Sequence, residues 1–136
     1  DLLKARLVNA RAEQVYYAGS VEKNKPSNSL TGKRLHPLFI AHEETGRTAL
    51  YASRLITTRI EGLAPAESDE VLERICEISE QEEFVYEHVW TPGDLVMWDN
   101  RCTNHARTHF SPGERRLLRR TTVFGVDPVP ASSEAA

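Results

Sequence analysis

The feature that most constrains the fold is a series of apolar runs joined by short polar turns in the second half of the chain. After Glu83 the sequence alternates between the strand-like runs FVYEHVW, LVMW and RRLLRRTTVFGV and the turns TPGD and DNRCTN. Apolar runs bounded by Pro, Gly, Asp and Asn are typical of strands joined by tight turns. Strands in direct succession favour antiparallel sheets in a sandwich or jelly roll, with helices packed outside. We therefore predict a mainly β fold with flanking helices, in the α+β class.

The first part of the chain predicts a helix, a loop and a hairpin. Apolar residues at three- and four-residue spacing, such as Leu3 and Leu7, predict a helix over residues 2–18. Residues 20–34 contain Pro26 and Gly32 and almost no apolar side chains, so they predict an exposed loop. The runs HPLFIAH and TALYASRLI flank the turn EETGR and predict a β-hairpin.

A second helix is predicted between this hairpin and the strand-like runs. Ser68 is a good N-cap residue, and Asp69 and Glu70 would lie in the first turn, where the helix dipole favours negative charge. Its predicted buried face consists of Val71, Leu72, Ile75 and Cys76. Residues 127–136 predict a polar tail without a core.

The size and charge of the chain limit its partners and location. A chain of 136 residues is one domain or a piece of one. Its net charge of −3 gives no electrostatic footprint for nucleic acid or an anionic membrane, and only residues 115–120 are locally basic. Cys76 and Cys102 do not form a disulfide framework, and no apolar run approaches the ~18 residues of a membrane span. We expect a cytoplasmic protein with neither nucleic acid nor membrane as a partner.

His105 is a candidate metal ligand because of where it lies. A lone histidine near a strand is more often structural than a ligand. His105, however, closely follows LVMW, a run apolar enough to be buried on both faces, and the turn at Asp99 and Asn100. A histidine held on such a frame has the rigidity that a metal site requires.

The run RRLLRRTT offers candidate anion-binding residues. In a strand, Arg116 and Arg120 would share one face, and Arg115 and Arg119 the other. One pair would face solvent, and an interior pair would need a carboxylate or another anion as its partner. A salt bridge within the protein and a bound anion both satisfy this requirement.

These motifs together resemble a known family. The run EFVYEHVWTPGDLVMWDNRCTNHARTHF and the following RRLLRRTTV resemble the C-terminal half of the taurine dioxygenase and 2,4-dichlorophenoxyacetate dioxygenase (TauD/TfdA) family. HPLFIAHEETGRTALY and the segment around IEGL extend the resemblance over residues 35–126. It implies a double-stranded β-helix (jelly roll), of which residues 1–136 would be the C-terminal portion of a single dioxygenase domain.

The resemblance also implies an activity and roles for individual residues. Members hydroxylate a substrate with Fe(II), dioxygen and 2-oxoglutarate, which is converted to succinate and CO2. His105 matches an iron ligand, Arg116 the arginine that binds the far carboxylate of 2-oxoglutarate, and Arg120 a position that meets an anionic group of the substrate. Trp98 matches an aromatic residue near the oxygen pocket. The implied substrate is a small carboxylate or sulfonate, and similarity to the aryloxyalkanoate branch favours an aromatic acid over taurine.

The sequence departs from the family pattern at the iron site. The family's other two ligands form a His-x-Asp motif, which does not occur in these 136 residues. His42 begins a His-x-Glu sequence, but it lies at the hairpin turn and is not expected to bind iron. His36, His88 and His109 are interpreted as structural or exposed. The chain is thus either the C-terminal portion of a longer enzyme, which the first residue Asp1 favours, or a metal-free relative. A portion with one of the three ligands should bind iron weakly and be inactive by itself.

Two other functions compete with the dioxygenase. One is a non-catalytic module in which Arg116 and Arg120 hold a small anion, and the other is a structural β-domain with surface arginines. A C-terminal portion by itself would expose sheet edges and apolar faces. We therefore expect a homo-oligomer.

Overall fold

The computed structural model describes residues 2–18, 29–109, 111, 113, 115–123 and 125–131. Their elements follow one another as helix α1 (Leu2–Leu7), strands β1 (Arg11–Ala18), β2 (Ser29–Pro37), β3 (Phe39–Ala41), β4 (Thr48–Leu50) and β5 (Thr57–Ile60), helix α2 (Pro65–Ser79) and a 3₁₀ helix at Glu82–Phe84. None of the helices in these ranges is both long and apolar enough to cross a membrane.

The strands form two antiparallel sheets. The first has the order β2-β1-β5, so β1 is its central strand, and Ala12 lies opposite His36 on one side and Ile60 on the other. The second is the hairpin of β3 and β4, in which Phe39 pairs with Leu50 and Ala41 with Thr48. These sheets confirm the β-rich α+β class.

The core lies between the first sheet, helix α2 and the start of the hairpin. Its buried side chains include Leu7, Ala12, Leu38, Ile60, Val71 and Ile75. Helix α2 packs against β5, and the Ser68 hydroxyl oxygen accepts a hydrogen bond of 2.8 Å from the backbone N–H of Ile60. This bond satisfies a polar group that would otherwise be buried without a partner.

The predicted hairpin and second helix are confirmed, with one correction. Gly46 in the hairpin turn has a φ of +68°, a conformation that favours glycine. Val71, Ile75 and Cys76 are buried on α2, as predicted. The predicted start of this helix is wrong, because α2 begins at Pro65 with Ala64 as the N-cap. Ser68 lies inside the helix and bonds across to β5 instead.

Two predictions for the first part of the chain are wrong. The helix predicted over residues 2–18 ends at Leu7, and Arg11–Ala18 form a strand. Pairing with two neighbouring strands determines the structure of this segment more strongly than its weak helical spacing does. Ser29–Pro37 form a strand where residues 29–34 were predicted as loop, since the β1 edge provides the hydrogen-bond partners that strand formation needs. Residues 20–28 of that loop lie outside the described residues.

The strands predicted after Glu83 are not formed in the described structure. The described residues from 85 to 123 have no assigned strand, and Leu95 and Met97 of the run predicted to be buried are 85% and 86% exposed. A strand needs a neighbour for its backbone hydrogen bonds, and no described strand lies beside these runs. The intervening turns do form, with Gly93 at a φ of +99°.

The predicted polar tail is partly integrated into the fold. The Ala41 N–H donates to the Val129 carbonyl at 2.9 Å, and the Ala131 N–H donates to the Phe39 carbonyl at 3.0 Å. Ala131 is buried, and an isolated β-bridge joins Ile40 to Pro130. Thus residues 129–131 add to the edge of the hairpin, whereas residues 132–136 lie outside the described structure.

Candidate functional site

The loop that precedes His105 is organised by Asp99. The Asp99 carbonyl oxygen accepts hydrogen bonds from the backbone N–H groups of Cys102 (3.4 Å) and Thr103 (3.1 Å) and from the Thr103 hydroxyl (2.6 Å). Its carboxylate atom Oδ1 accepts a bond of 2.8 Å from the Arg101 N–H. This pattern, in which an aspartate bonds its own turn, agrees with the turn predicted at Asp99 and Asn100. We call residues 99–104 the 99–104 turn.

Side chains attach the 99–104 turn to residues 39–52, which we call the 39–52 hairpin. His42 Nε2 lies 3.0 Å from Asp99 Oδ2, and Arg101 Nη1 lies 2.8 Å from Glu43 Oε2. Asn104 Nδ2 donates to the Ala52 carbonyl at 2.9 Å. The turn is therefore bound at both of its ends to a different part of the fold.

The charges in this turn favour an ionised Asp99. Hydrogen bonds from the Arg101 side chain and backbone, together with the bond to His42, hold the pKa of Asp99 well below its usual range, although partial burial opposes the shift. The hydrogen bond and charge of Asp99, followed by the hydrogen bond to Glu43 and the charge of Glu44, raise the pKa of Arg101 above its ordinary value. Asp99 is thus a carboxylate throughout the neutral pH range and a permanent acceptor for its partners.

Three of the predicted site residues, Trp98, His105 and Arg120, lie together. The ring centroids of Trp98 and His105 are 4.9 Å apart at an interplanar angle of 51°. The Arg120 guanidinium carbon lies 5.8 Å from the centre of the Trp98 ring, within the range of a cation–π contact. Partial desolvation lowers the pKa of His105, although the side chain is exposed to solvent, and the positive charge of Arg120 lowers it further. At neutral pH His105 is therefore a neutral imidazole, the form that binds a metal.

Arg116 is exposed in the same segment, four residues before Arg120. Its predicted position on a strand face shared with Arg120 is wrong in this structure, since residues 115–123 are not assigned as a strand. Its role in binding 2-oxoglutarate stays a prediction.

The structure also brings together His42, Asp99 and Cys102, a group that the sequence did not reveal. Their candidate ligand atoms all lie within 4.8 Å of one another. However, His42 and Asp99 already share a hydrogen bond, and the Arg101 guanidinium occupies the same carboxylate at 2.6 Å. A cation would have to displace this guanidinium, so we interpret the group as a hydrogen-bonded network rather than a metal site. Because the pairing joins residues 57 positions apart, no local spacing pattern could have predicted it.

The residues around His105 fit only one part of an iron site. Non-haem Fe(II) oxygenases use two histidines and one carboxylate. His105 supplies an imidazole of the right protonation state, but within the described ranges it belongs to no group of three His, Cys, Asp or Glu ligands. The arginines, in contrast, are suited to binding carboxylates.

A comparison with known families decides the classification. The sequence profile described as "Taurine catabolism dioxygenase TauD, TfdA family" matches residues 1–122. The chain belongs to the TauD/TfdA family. This confirms the resemblance carried by the motifs around Trp98 and His105. Membership implies Fe(II) as the metal and 2-oxoglutarate as the co-substrate.

Several characterised TauD/TfdA relatives are similar to this chain. It is 42% identical over 103 residues to pentalenolactone F synthase of Streptomyces arenae, covering 75% of this chain and 34% of the relative. It is 38% identical over 101 residues to the (S)-phenoxypropionate/alpha-ketoglutarate-dioxygenase of Sphingobium herbicidovorans, covering 74% and 34%. It is 43% identical over 88 residues to the alpha-ketoglutarate-dependent 2,4-dichlorophenoxyacetate dioxygenase of Cupriavidus pinatubonensis, covering 65% and 30%. The chain thus spans about a third of the length of these relatives.

Proposed function

We propose that this chain acts in an Fe(II)- and 2-oxoglutarate-dependent dioxygenase that hydroxylates a small anionic substrate and converts 2-oxoglutarate to succinate and CO2. The observation that carries this proposal is the convergence of Trp98, His105 and Arg120 in a member of the TauD/TfdA family. In this proposal residues 1–136 form the C-terminal portion of a single jelly-roll domain.

Each of the residues has a distinct role in the proposed site. His105 would bind Fe(II) through the lone pair of a neutral ring nitrogen. The bound iron would supply the activation of dioxygen. Arg116 pairs with the far carboxylate of 2-oxoglutarate, because a planar guanidinium binds a carboxylate through two parallel hydrogen bonds. Trp98 provides an apolar ring face beside His105 and contacts the Arg120 cation. The complete iron site requires a further histidine and a carboxylate that approach His105 from elsewhere.

Arg120 points to an anionic substrate. Its guanidinium is exposed at the same place as Trp98, so an anion and an apolar group can be bound side by side. Two relatives are named for phenoxypropionate and 2,4-dichlorophenoxyacetate, both of which are aryloxy carboxylates. This supports an aromatic carboxylate as the substrate, with a sulfonate as the second choice.

In this proposal the protein is cytoplasmic and forms a homo-oligomer. It binds neither nucleic acid nor a membrane. The net charge of −3 supports the absence of polyanionic partners. The exposed apolar side chains between residues 84 and 98 support self-association.

The activity can be tested on a protein that carries residues 1–136 together with the further histidine and carboxylate of the proposed site, supplied with Fe(II), ascorbate and oxygen. Residues 1–136 alone, with one of the three ligands, are expected to be inactive. We expect succinate to form from 2-oxoglutarate, with the rate increasing when an aryloxy carboxylate is added. His105→Ala should abolish turnover, and His109→Ala, which changes an exposed histidine of the same segment, should retain it. A His105→Ala protein with normal turnover would show that this residue is not an iron ligand.

A non-catalytic anion-binding module is the second candidate function, because the described residues place only one iron-type ligand beside Arg120. This module would bind 2-oxoglutarate or an aryl carboxylate without metal, with a loss of binding in Arg116→Met. Calorimetric binding without succinate formation would favour the module. Unchanged binding in Arg116→Met would favour a structural domain with surface arginines.

A further inference from the structure

The 99–104 turn links Trp98 to His105, so its position sets where both side chains lie. The Asp99 carboxylate controls this turn through its two oxygens. Oδ1 accepts the Arg101 N–H at 2.8 Å and fixes the shape of the turn, and Oδ2 lies 3.0 Å from His42 Nε2 and fixes its attachment to the hairpin. One side chain therefore determines both the conformation and the placement of the segment.

The His42–Asp99 hydrogen bond is more protected from solvent than the ion pairs that attach the turn to the hairpin. The His42 side chain is 12% exposed, whereas the Glu43 and Glu44 side chains that meet Arg101 are 49% and 76% exposed. Exposed ion pairs contribute little because water and salt screen them, and a hydrogen bond to a charged group away from solvent contributes more. Loss of the His42 bond should therefore release the turn more than loss of the surface pairs does.

We propose that His42 and Asp99 are positioning residues that hold the 99–104 turn against the 39–52 hairpin and thereby aim His105 at the metal. This inference rests on the proposed function. In the proposed site, neither His42 nor Asp99 contacts the metal or the substrate. Hydrogen-bonding partners that orient a ligand commonly contribute about 10–100-fold to metal affinity or activity when the ligand itself is unchanged.

The chain contains a matched histidine–aspartate pair that serves as a control. His88 Nε2 lies 3.1 Å from Asp94 Oδ2, and Asp94 also accepts bonds from the N–H and hydroxyl of Thr91. The chemistry and the distance are the same, but this pair joins residues only six positions apart. It closes a local turn, and its hydrogen bonds to described residues reach no distant element, so its loss should leave His105 in place.

The test compares His42→Leu, His42→Gln and His88→Leu in the protein of the activity assay, which carries residues 1–136 together with the further histidine and carboxylate. In the metal-free protein, His42→Leu should increase amide hydrogen exchange in a peptide covering residues 99–104 by about 10-fold, because one charged hydrogen bond is lost. With Fe(II) and 2-oxoglutarate, kcat should fall about 10–100-fold. The KM for 2-oxoglutarate should stay within about 3-fold of its normal value, since Arg116 is untouched. His42→Gln retains an N–H donor and should restore both properties in part, and His88→Leu should change neither.

The outcomes separate this inference from the proposed function. Unchanged exchange in His42→Leu, or an equal loss of kcat in His88→Leu, would overturn the positioning role. Failure of the unmodified protein with all three ligands to form succinate would refute the dioxygenase and the orientation of His105 toward a metal, while the exchange measurement would still decide whether His42 anchors the turn. If His42→Leu does not fold, Asp99→Asn tests the same turn. It weakens the bonds from both His42 and the Arg101 side chain, so exchange in residues 99–104 should rise at least as much, and unchanged exchange would overturn the positioning role.

Discussion

At the scale of single residues, Arg120 interacts with two neighbouring side chains of the candidate site. Its guanidinium lies near the face of Trp98, and its charge lowers the pKa of His105. The aromatic contact stabilises the cation without neutralising it, because a ring quadrupole carries no net charge. Arg120 therefore remains able to bind an anion, which a salt bridge with a protein carboxylate would prevent.

Replacement of Arg120 by glutamine should weaken substrate binding specifically. We expect the KM for the aryloxy carboxylate to rise about 10–100-fold, because a hydrogen bond to a charged group is lost, with a smaller change in the KM for 2-oxoglutarate. Steady-state kinetics with each substrate varied in turn measure this. Arg119→Gln is the control, since it removes the same charge from the adjacent exposed residue. If both substitutions raise this KM equally, the arginines attract the substrate only through their overall positive charge, and Arg120 makes no specific contact with it.

His36 should make the stability of the protein depend on pH. Burial lowers the pKa of His36, the charges of Arg34 and Arg11 lower it further, and Asp127 partly opposes them. Among the described residues its buried Nε2 atom has no hydrogen-bond partner. The unfolded chain therefore binds a proton more readily than the folded chain, and protonation favours unfolding.

The free energy of unfolding should consequently decrease as the pH falls below about 6.5, the value for an unperturbed histidine, and approach a plateau below the folded pKa. Urea unfolding at several pH values between 7.5 and 5 measures this slope. His36→Gln should reduce the slope, and His109→Gln, at an exposed position, should leave it unchanged. The attribution to His36 is wrong if its variant retains the full slope.

At the scale of the elements, the comparison of α2 with β1 shows what sequence periodicity can predict. The buried face of α2 was predicted because Val71, Ile75 and Cys76 recur at helical spacing over several turns. The strand β1 was missed because Leu3 and Leu7 begin a helical pattern that continues only weakly. The strand state of β1 depends on its pairing with β2 and β5, which are distant in the sequence. Similarly, the link from His42 to Asp99 is visible only in three dimensions.

Ser68→Ala should destabilise the packing of α2 on β5. The substitution removes the acceptor of the buried Ile60 N–H, so we expect the free energy of unfolding to fall by about 1–3 kcal/mol. Ser79→Ala on the same helix is the matched control, because the Ser79 hydroxyl donates only to the Cys76 carbonyl within α2 and should contribute less. Urea denaturation followed by circular dichroism measures both values. Equal losses would show that the bond to Ile60 has no special importance.

At the scale of the whole molecule, the family motifs were easier to predict than the architecture around them. Trp98, His105 and Arg120 were identified from sequence and lie together in the structure. The strands predicted for their surroundings are not present in the described residues, because sheet formation needs neighbours that a linear pattern does not supply. The result is a surface on which large apolar side chains such as Leu95, Met97 and Leu117 are exposed.

This exposed surface should drive self-association. Unpaired strand-like runs with apolar side chains bind other copies of the same chain, because contact buries the side chains and satisfies the backbone. We expect size-exclusion chromatography with light scattering to show a species larger than the monomer at about 50 μM, a concentration in the range where exposed apolar surface promotes association.

The double variant Leu95→Glu, Met97→Glu should shift the protein toward the monomer, since each added carboxylate opposes burial. Leu2→Glu, at a position that is 92% exposed in α1 and distant in sequence from these runs, should leave the assembly unchanged. A monomeric unmodified chain would contradict the expected homo-oligomer, and equal dissociation by Leu2→Glu would show that association uses another surface.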